Sequence, residues 1–212
     1  MIRIQTLTGQ IQGLQRRFDE RVVIIMELVQ PIRSKEKIEQ MKKYLKSKSL
    51  RDWALFTLGI NSGLRISDLL KLNISDVVDA NGKVRDRITV REKKTSKPKT
   101  FPFSAKVIES LTEYIASLDQ SQIVLFGSRT GDKAVSRQHI HRILSEAGKE
   151  VGIKESIASH SLRKTFGLMA YEAGVDITRI QQLLNHSSPK ESLRYIGVTQ
   201  NELDSVYLKL NL

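Results

Sequence analysis

The sequence predicts an α+β fold, mostly helical, with one small antiparallel sheet of three strands. Two observations carry this. Apolar residues recur at helical spacing from Ser34 to Leu72 and again from Ser136 onward, and most runs open on a capping residue. Between them, residues 85–91 (RDRITVR) and 99–103 (KTFPF) alternate as strands do, and Val124 to Phe126 supplies a third short strand.

The elements follow in chain order. Ile38, Met41 and Leu45 share one face of a first helix whose other face is lysine-rich. Ser49 and Asp52 open a second helix in the manner of a capping box. That helix is apolar nearly all round (Trp53, Leu55, Phe56, Leu58, Ile60), so it belongs at the centre, and Gly63 ends it. A short helix runs from about Arg65 to Leu72. Asn81-Gly82 marks a turn, and Pro102 places the second strand at an edge or a strand end. A helix starts at Ser104. Later helices are capped at Ser136, Ser159, Asp176, Ser188 and Thr199, with Glu191 and Glu202 completing capping boxes for the last two. Pro31 is the joint between an N-terminal extension, residues 1–30, and the main domain, residues 31–212.

Composition narrows the partners. Hydrophobic residues make up 40% of the 212 and aromatics 6%, enough for a sizeable, mainly aliphatic core. The net charge is +12, of which +1 falls on residues 1–30, so the excess sits on the globular part and favours a polyanion. There is no cysteine, which excludes disulfides, thiolate catalysis and thiolate metal sites. The apolar run Val22 to Val29 is far shorter than the ~20 residues of a membrane span and lacks a signal-peptide layout. No membrane association is expected, and the expected setting is the cytoplasm.

Four patterns stand out: GLRISD at 63–68, KTSKPKTFPF at 94–103, HSLR at 160–163 and LLNHSSPKESLRYIG at 183–197. Each is weak alone, but in this order and spacing they resemble the catalytic domain of the tyrosine recombinase (phage integrase) family over about residues 33–198. The resemblance implies that Arg65 and Arg163 are the two catalytic arginines and that Asp68 orients the first. It implies that Lys94 is the lysine on the turn between two strands; Lys93 and Lys97 compete for that place, but Lys94 lies eight before Pro102 as in the family. His160 and Arg163 match its His-x-x-Arg pair, His186 its second histidine, and Tyr195 its nucleophile. No cofactor or metal is expected. Double-stranded DNA is the expected partner, held mainly through phosphates by Lys93, Lys97, Lys99, Arg137, Lys164 and Arg179. Self-association as a tetramer on DNA, and accessory DNA-bending proteins, are expected too.

The chemistry asks for these residue types independently. Attack on a phosphodiester builds negative charge on its non-bridging oxygens, which two planar guanidinium groups can grip. Such preorganised donors are worth roughly 3 kcal/mol each. A phenol, with a pKa of about 10, needs a base or strong positive charge beside it. A 5′-oxygen leaves well only when it receives a proton, a task for a lysine on the turn. A covalent intermediate keeps the bond energy for religation. His160 and Arg163, three apart in the first turn of a helix, share a face near the helix N-terminus.

Taken singly, each residue has a plainer reading: Arg65 a surface arginine, His160 a cap, His186 a helix end, Tyr195 a buried aromatic. His139 and His141 read as surface residues or DNA contacts rather than metal ligands. Leu168 to Leu184 also reads as a helix-turn-helix, which a DNA-binding regulator would share. That regulator, and a type IB topoisomerase, are the alternatives to a site-specific recombinase. Residues 1–30 replace the helical core-binding domain usual in the family, as in a fragment of a longer integrase or a short inverting enzyme.

Overall fold

A computed structural model describes residues 29–92, 98–119, 121–129 and 133–210. The N-terminal extension lies outside them up to residue 28. Val29 makes a parallel bridge with Ser156, which ties the start of the described chain to the loop before the helix that carries His160 and Arg163.

Helix α1 (Lys35–Lys48) is capped by the Ser34 hydroxyl and buries Ile38, Met41 and Leu45, as the spacing predicts. The Ser49 hydroxyl accepts the Asp52 N–H and starts α2 (Leu50–Ser62), whose side chains from Asp52 to Gly59 are all buried. This helix is the centre of the domain, packed by α1, by α5 (Ala105–Ala116) and by α7 (Ser159–Glu172). Phe56 is 0% exposed at its heart. Phe56→Ala should therefore lower the unfolding free energy by about 3–5 kcal/mol, measurable by denaturant titration.

Two short helices follow, α3 (Ile66–Leu69) and α4 (Ile74–Val77). The second was not foreseen; its signal is Asn73, whose N–H is accepted by Asp76 Oδ2 at 2.8 Å. Strands β1 (Arg87–Arg91) and β2 (Pro98–Pro102) then pair antiparallel, with Thr89 opposite Thr100. Pro102 is the last residue of β2, as expected.

Among the described residues the sheet has two strands, not the three expected. Val124 forms only an isolated bridge, with Asn73. The Leu125 N–H goes to Leu72 O at 2.8 Å, and the Leu125 carbonyl accepts the Tyr114 hydroxyl at 2.8 Å. The backbone of this segment thus pairs with the α3–α4 connection, with Tyr114 of α5 and, through the Phe126 carbonyl, with the Val135 N–H.

The rest is helical: α6 (Arg137–Glu150), α7, α8 (Ile177–Leu184), α9 (Pro189–Ile196) and α10 (Gln200–Leu210). Ser136, Asp176 and Ser188 cap as expected. The cap of α7 is extended Ala158 rather than Ser159; here the Ser161 hydroxyl accepts the Ala158 N–H, so the serine acts backwards from inside the first turn. A second, smaller core of Leu168, Ile180, Leu184 and Ile196 joins α7, α8 and α9. The apolar residues that suggested a helix-turn-helix are spent here, on seating the helix that carries Tyr195.

Candidate active site

The site is assembled from the ends of α2, β1 and α8 and from the first turns of α7. Gly63 closes α2 in the left-handed region, with φ +61°. A Cβ at this position would stand 2.5 Å from Phe166 Cδ1, so both the turn and the close approach of α7 require glycine. Leu64 then enters the core at 1% exposure, and Arg65, the N-cap residue of α3, turns its guanidinium to the site. This is the physical content of Gly-Leu-Arg: a stop, an anchor and a donor.

Arg163 is 3% exposed. Its Nη1 donates to Gly63 O at 2.6 Å and its Nη2 to Leu184 O, so one guanidinium spans the C-terminal ends of α2 and α8. Both carbonyls lie at the negative end of a helix, where a fixed cation is favoured. Burial draws the Arg163 pKa down from its usual value, and the Arg65 charge adds to this, while the Tyr195 phenol, Glu92 and Asp68 oppose it. Asp68 itself is 1% exposed.

His160 is half-buried in the first turn of α7. Burial, then the charges of Lys164, Arg163, Arg137 and Arg65, hold its pKa below the ordinary 6.5. It is therefore neutral at pH 7 and able to accept a proton. His186 follows Asn185, which ends α8 with φ 47°. The His186 Nδ1 sits 3.0 Å from the Ser192 hydroxyl, and its ring meets the Tyr195 ring edge-on, with centroids 4.8 Å apart.

Tyr195 lies half-buried near the end of α9. Burial pushes its phenol pKa up, against the pull of the Arg163 and Arg65 charges. Its helix is seated closely: a Cβ on Gly167 would come within 2.6 Å of Ile196 Cγ2 and 3.1 Å of Leu184 Cδ1. Glycine in α7 thus lets the tyrosine helix approach the two arginines.

Of the residues read from the sequence, Arg65, Asp68, His160, Arg163, His186 and Tyr195 come together. Lys93, Lys94 and Lys97 lie outside the described residues. Among the expected phosphate contacts, Arg137 and Arg179 are exposed. The other two point inward. Lys164 is 5% exposed, with its ammonium 5.5 Å from the Tyr195 ring centroid. Lys99 Nζ donates to Ser62 O at 3.0 Å and Leu183 O at 2.9 Å, stapling β2 to the ends of α2 and α8. Burial, and next Arg163, bring the Lys99 pKa down to about 8. His139, read as a surface residue or DNA contact, is half-buried, with Nε2 3.1 Å from Arg51 Nη2.

One site residue was missed. Glu92 has a fully buried carboxylate, 3.2 Å from Arg65 Nη1 and 3.7 Å from Arg163 Nη1. Asn185 Nδ2 donates to it at 2.5 Å. The signal was present: β1 alternates exposed and buried, with Ile88 and Val90 inward, and the same period carries Glu92 inward. It is also the only carboxylate between Asp86 and Glu109.

Comparison with known proteins agrees with this geometry. The sequence profile of the Phage integrase family matches residues 33–202. The chain is 40% identical over 182 residues to "Probable integrase/recombinase YoeC" of Bacillus subtilis, a match covering 86% of this chain and 97% of that one. It is 30% identical over 181 residues to the tyrosine recombinase XerA of Pyrococcus furiosus, covering 84% of this chain and 61% of XerA. The crystal structure of XerA recombinase superposes with a TM-score of 0.69 at 26% identity, over 86% of this chain and 66% of that one. The fold is shared further with the XerH site-specific recombinase bound to palindromic difH substrate, with a TM-score of 0.65 at 19% identity over 85% of this chain and 53% of XerH. The chain thus spans nearly all of YoeC but under two thirds of the Xer sequence, and with its arginine pair, two histidines and tyrosine gathered at one place, it belongs to the phage integrase family, the tyrosine recombinases.

Proposed function

We propose that this chain is a site-specific recombinase that cuts one strand of duplex DNA through a 3′-phosphotyrosyl link at Tyr195 and then rejoins it to a new partner. The observation that carries the reading is Tyr195, its ring 4.8 Å from that of His186 and its phenol in the field of Arg163 and Arg65, which both face one buried carboxylate. In the first step the Tyr195 oxygen attacks phosphorus and the bond from phosphorus to the 5′-oxygen breaks. The phenolic proton passes to a base, for which His160 is suited because it is neutral, and Lys94 protonates the departing 5′-oxygen. Attack by a second 5′-hydroxyl reverses the same steps and restores the tyrosine. Arg65 and Arg163 hold the non-bridging oxygens as charge builds on them.

The raised pKa of Tyr195 supports a controlled nucleophile. Without DNA the phenol stays protonated, and only a bound phosphate aligned with the base makes it reactive. Assembly as a tetramer on DNA belongs to the same proposal. Its support is α10, which exposes Tyr207 at 78% and Leu208 at 81%, apolar surface suited to a neighbouring copy. Sedimentation of the recombining complex as a monomer would count against it.

The test is a nicked suicide substrate carrying the ends of the host element. A protein–DNA adduct stable in denaturing gels is expected; binding without an adduct would favour a regulator, and sustained relaxation of plasmid lacking the site would favour a topoisomerase. Two further outcomes are expected. Binding through phosphates should weaken by on the order of 10³-fold between about 50 and 200 mM salt, and a salt-insensitive gel shift would contradict it. The single-turnover rate should fall in acid as His160 gains its proton. Because its pKa is lowered, the midpoint of that limb should lie below 6.5, which a rate profile from about pH 5 to 8 will locate.

A further inference from the structure

The geometry points to Glu92 as a positioning residue for the arginine pair, an internal carboxylate that sets the two guanidinium groups to the spacing a phosphate requires. The inference rests on the recombinase reading above.

Two cations held close for one phosphate repel each other before the phosphate arrives. The Arg65 charge disfavours the charged form of Arg163. A carboxylate between them relieves this. Glu92 Oε2 faces Arg65 at 3.2 Å and Oε1 faces Arg163 at 3.7 Å, one oxygen to each guanidinium. Oε2 also accepts the Asn185 amide at 2.5 Å. A carboxylate that is fully buried must be neutralised where it stands, and the Asn185 amide together with the two guanidinium charges does so.

Its position on the chain adds to the case. Glu92 directly follows β1 and stands two residues before Lys94, the expected general acid. Asn185 directly precedes His186 and occupies the left-handed turn at the end of α8. A single carboxylate therefore links the end of β1, both arginines and the histidine turn. The Arg65 side chain keeps 20% exposure while the Glu92 side chain keeps none, so the arginine remains open on a side away from the carboxylate. Glu92 thus backs the pair while DNA occupies the front, and it stays in place during cleavage.

Glu92→Gln keeps the shape and removes the charge. Asn185→Gly keeps the left-handed turn and removes the amide. Adduct formation on the suicide substrate is followed under single turnover, with DNA affinity measured separately. Glu92→Gln is expected to slow cleavage roughly tenfold to a hundredfold with affinity held within about threefold, and Asn185→Gly to slow it less. A substrate with a methylphosphonate at the cleaved position has one anionic oxygen fewer and depends less on the arginines. On it the Glu92→Gln defect should shrink, which general loss of structure would not produce.

Faster cleavage by Glu92→Gln would overturn the inference, because it would make Glu92 a counter-ion that DNA has to displace. So would an unchanged rate, or an equal defect on both substrates. If Glu92→Gln does not fold, Asn185→Gly decides alone by the same two substrates. Absence of any adduct with the unaltered chain would instead remove the recombinase reading itself.

Discussion

Tyr195→Phe is expected to eliminate the covalent adduct while leaving DNA binding intact. The substitution removes one oxygen and nothing else. The phenylalanine ring can keep its edge-on contact with His186 and its place under the Lys164 ammonium. What disappears is the atom that must bond to phosphorus, which lies in the field of Arg163 and Arg65. Losing a nucleophile that works as a unit with its base and its oxyanion donors costs on the order of 10⁴-fold or more in rate. Loss of the hydroxyl should change stability by no more than about 1 kcal/mol, since Arg163 keeps its acceptors at Gly63 and Leu184. Denaturing gels measure the first effect and thermal unfolding the second. An adduct that survives the change would move the nucleophile to another residue.

Arg163→Lys is expected to reduce cleavage by about 10²- to 10³-fold, although the charge is kept. The reason is the number of directions Arg163 serves at once. It donates to Gly63 and Leu184, faces Glu92, and still has to meet the phosphate and the phenol. An ammonium is a single point on a flexible stem and cannot hold that fan of acceptors. Arg163→Ala should be worse in a second way. It strips a cation from a buried carboxylate, for which the usual penalty is about 3–5 kcal/mol. Arg65 and Asn185 still neutralise Glu92, so the lower end of that range is expected. Denaturant unfolding of both variants beside single-turnover cleavage will separate the two effects, and a lysine variant with near-normal cleavage would show that charge alone suffices.

Much of this architecture was legible because its signals are local. Ser34, Ser49, Ser104, Ser136, Asp176 and Ser188 each cap the helix that begins after them. The motif residues could be placed on helix ends and turns because a cap or a glycine acts within one turn of itself. The failures share a cause. The third strand was lost because the partners of Val124 and Leu125 are the distant Asn73, Leu72 and Tyr114. Lys99 and Lys164 were read as phosphate contacts from their charge, but the direction of a long side chain depends on what packs beside it. Carbonyls from Ser62 and Leu183 draw Lys99 inward, and the Tyr195 ring lies under Lys164.

The amino-acid sequence alone determined which chemical groups this protein brings to a phosphate, in what order, and on which kind of local element, because helix caps, turns and alternation are written in neighbouring residues. Only the tertiary structure decided how those groups are aimed. Gly63 meets Arg163 across 100 positions, and Glu92 meets Asn185 across 93. Contacts of that kind exist only once the core has closed, and burial then turns a carboxylate in a lysine-rich stretch into the hub of the arginine pair.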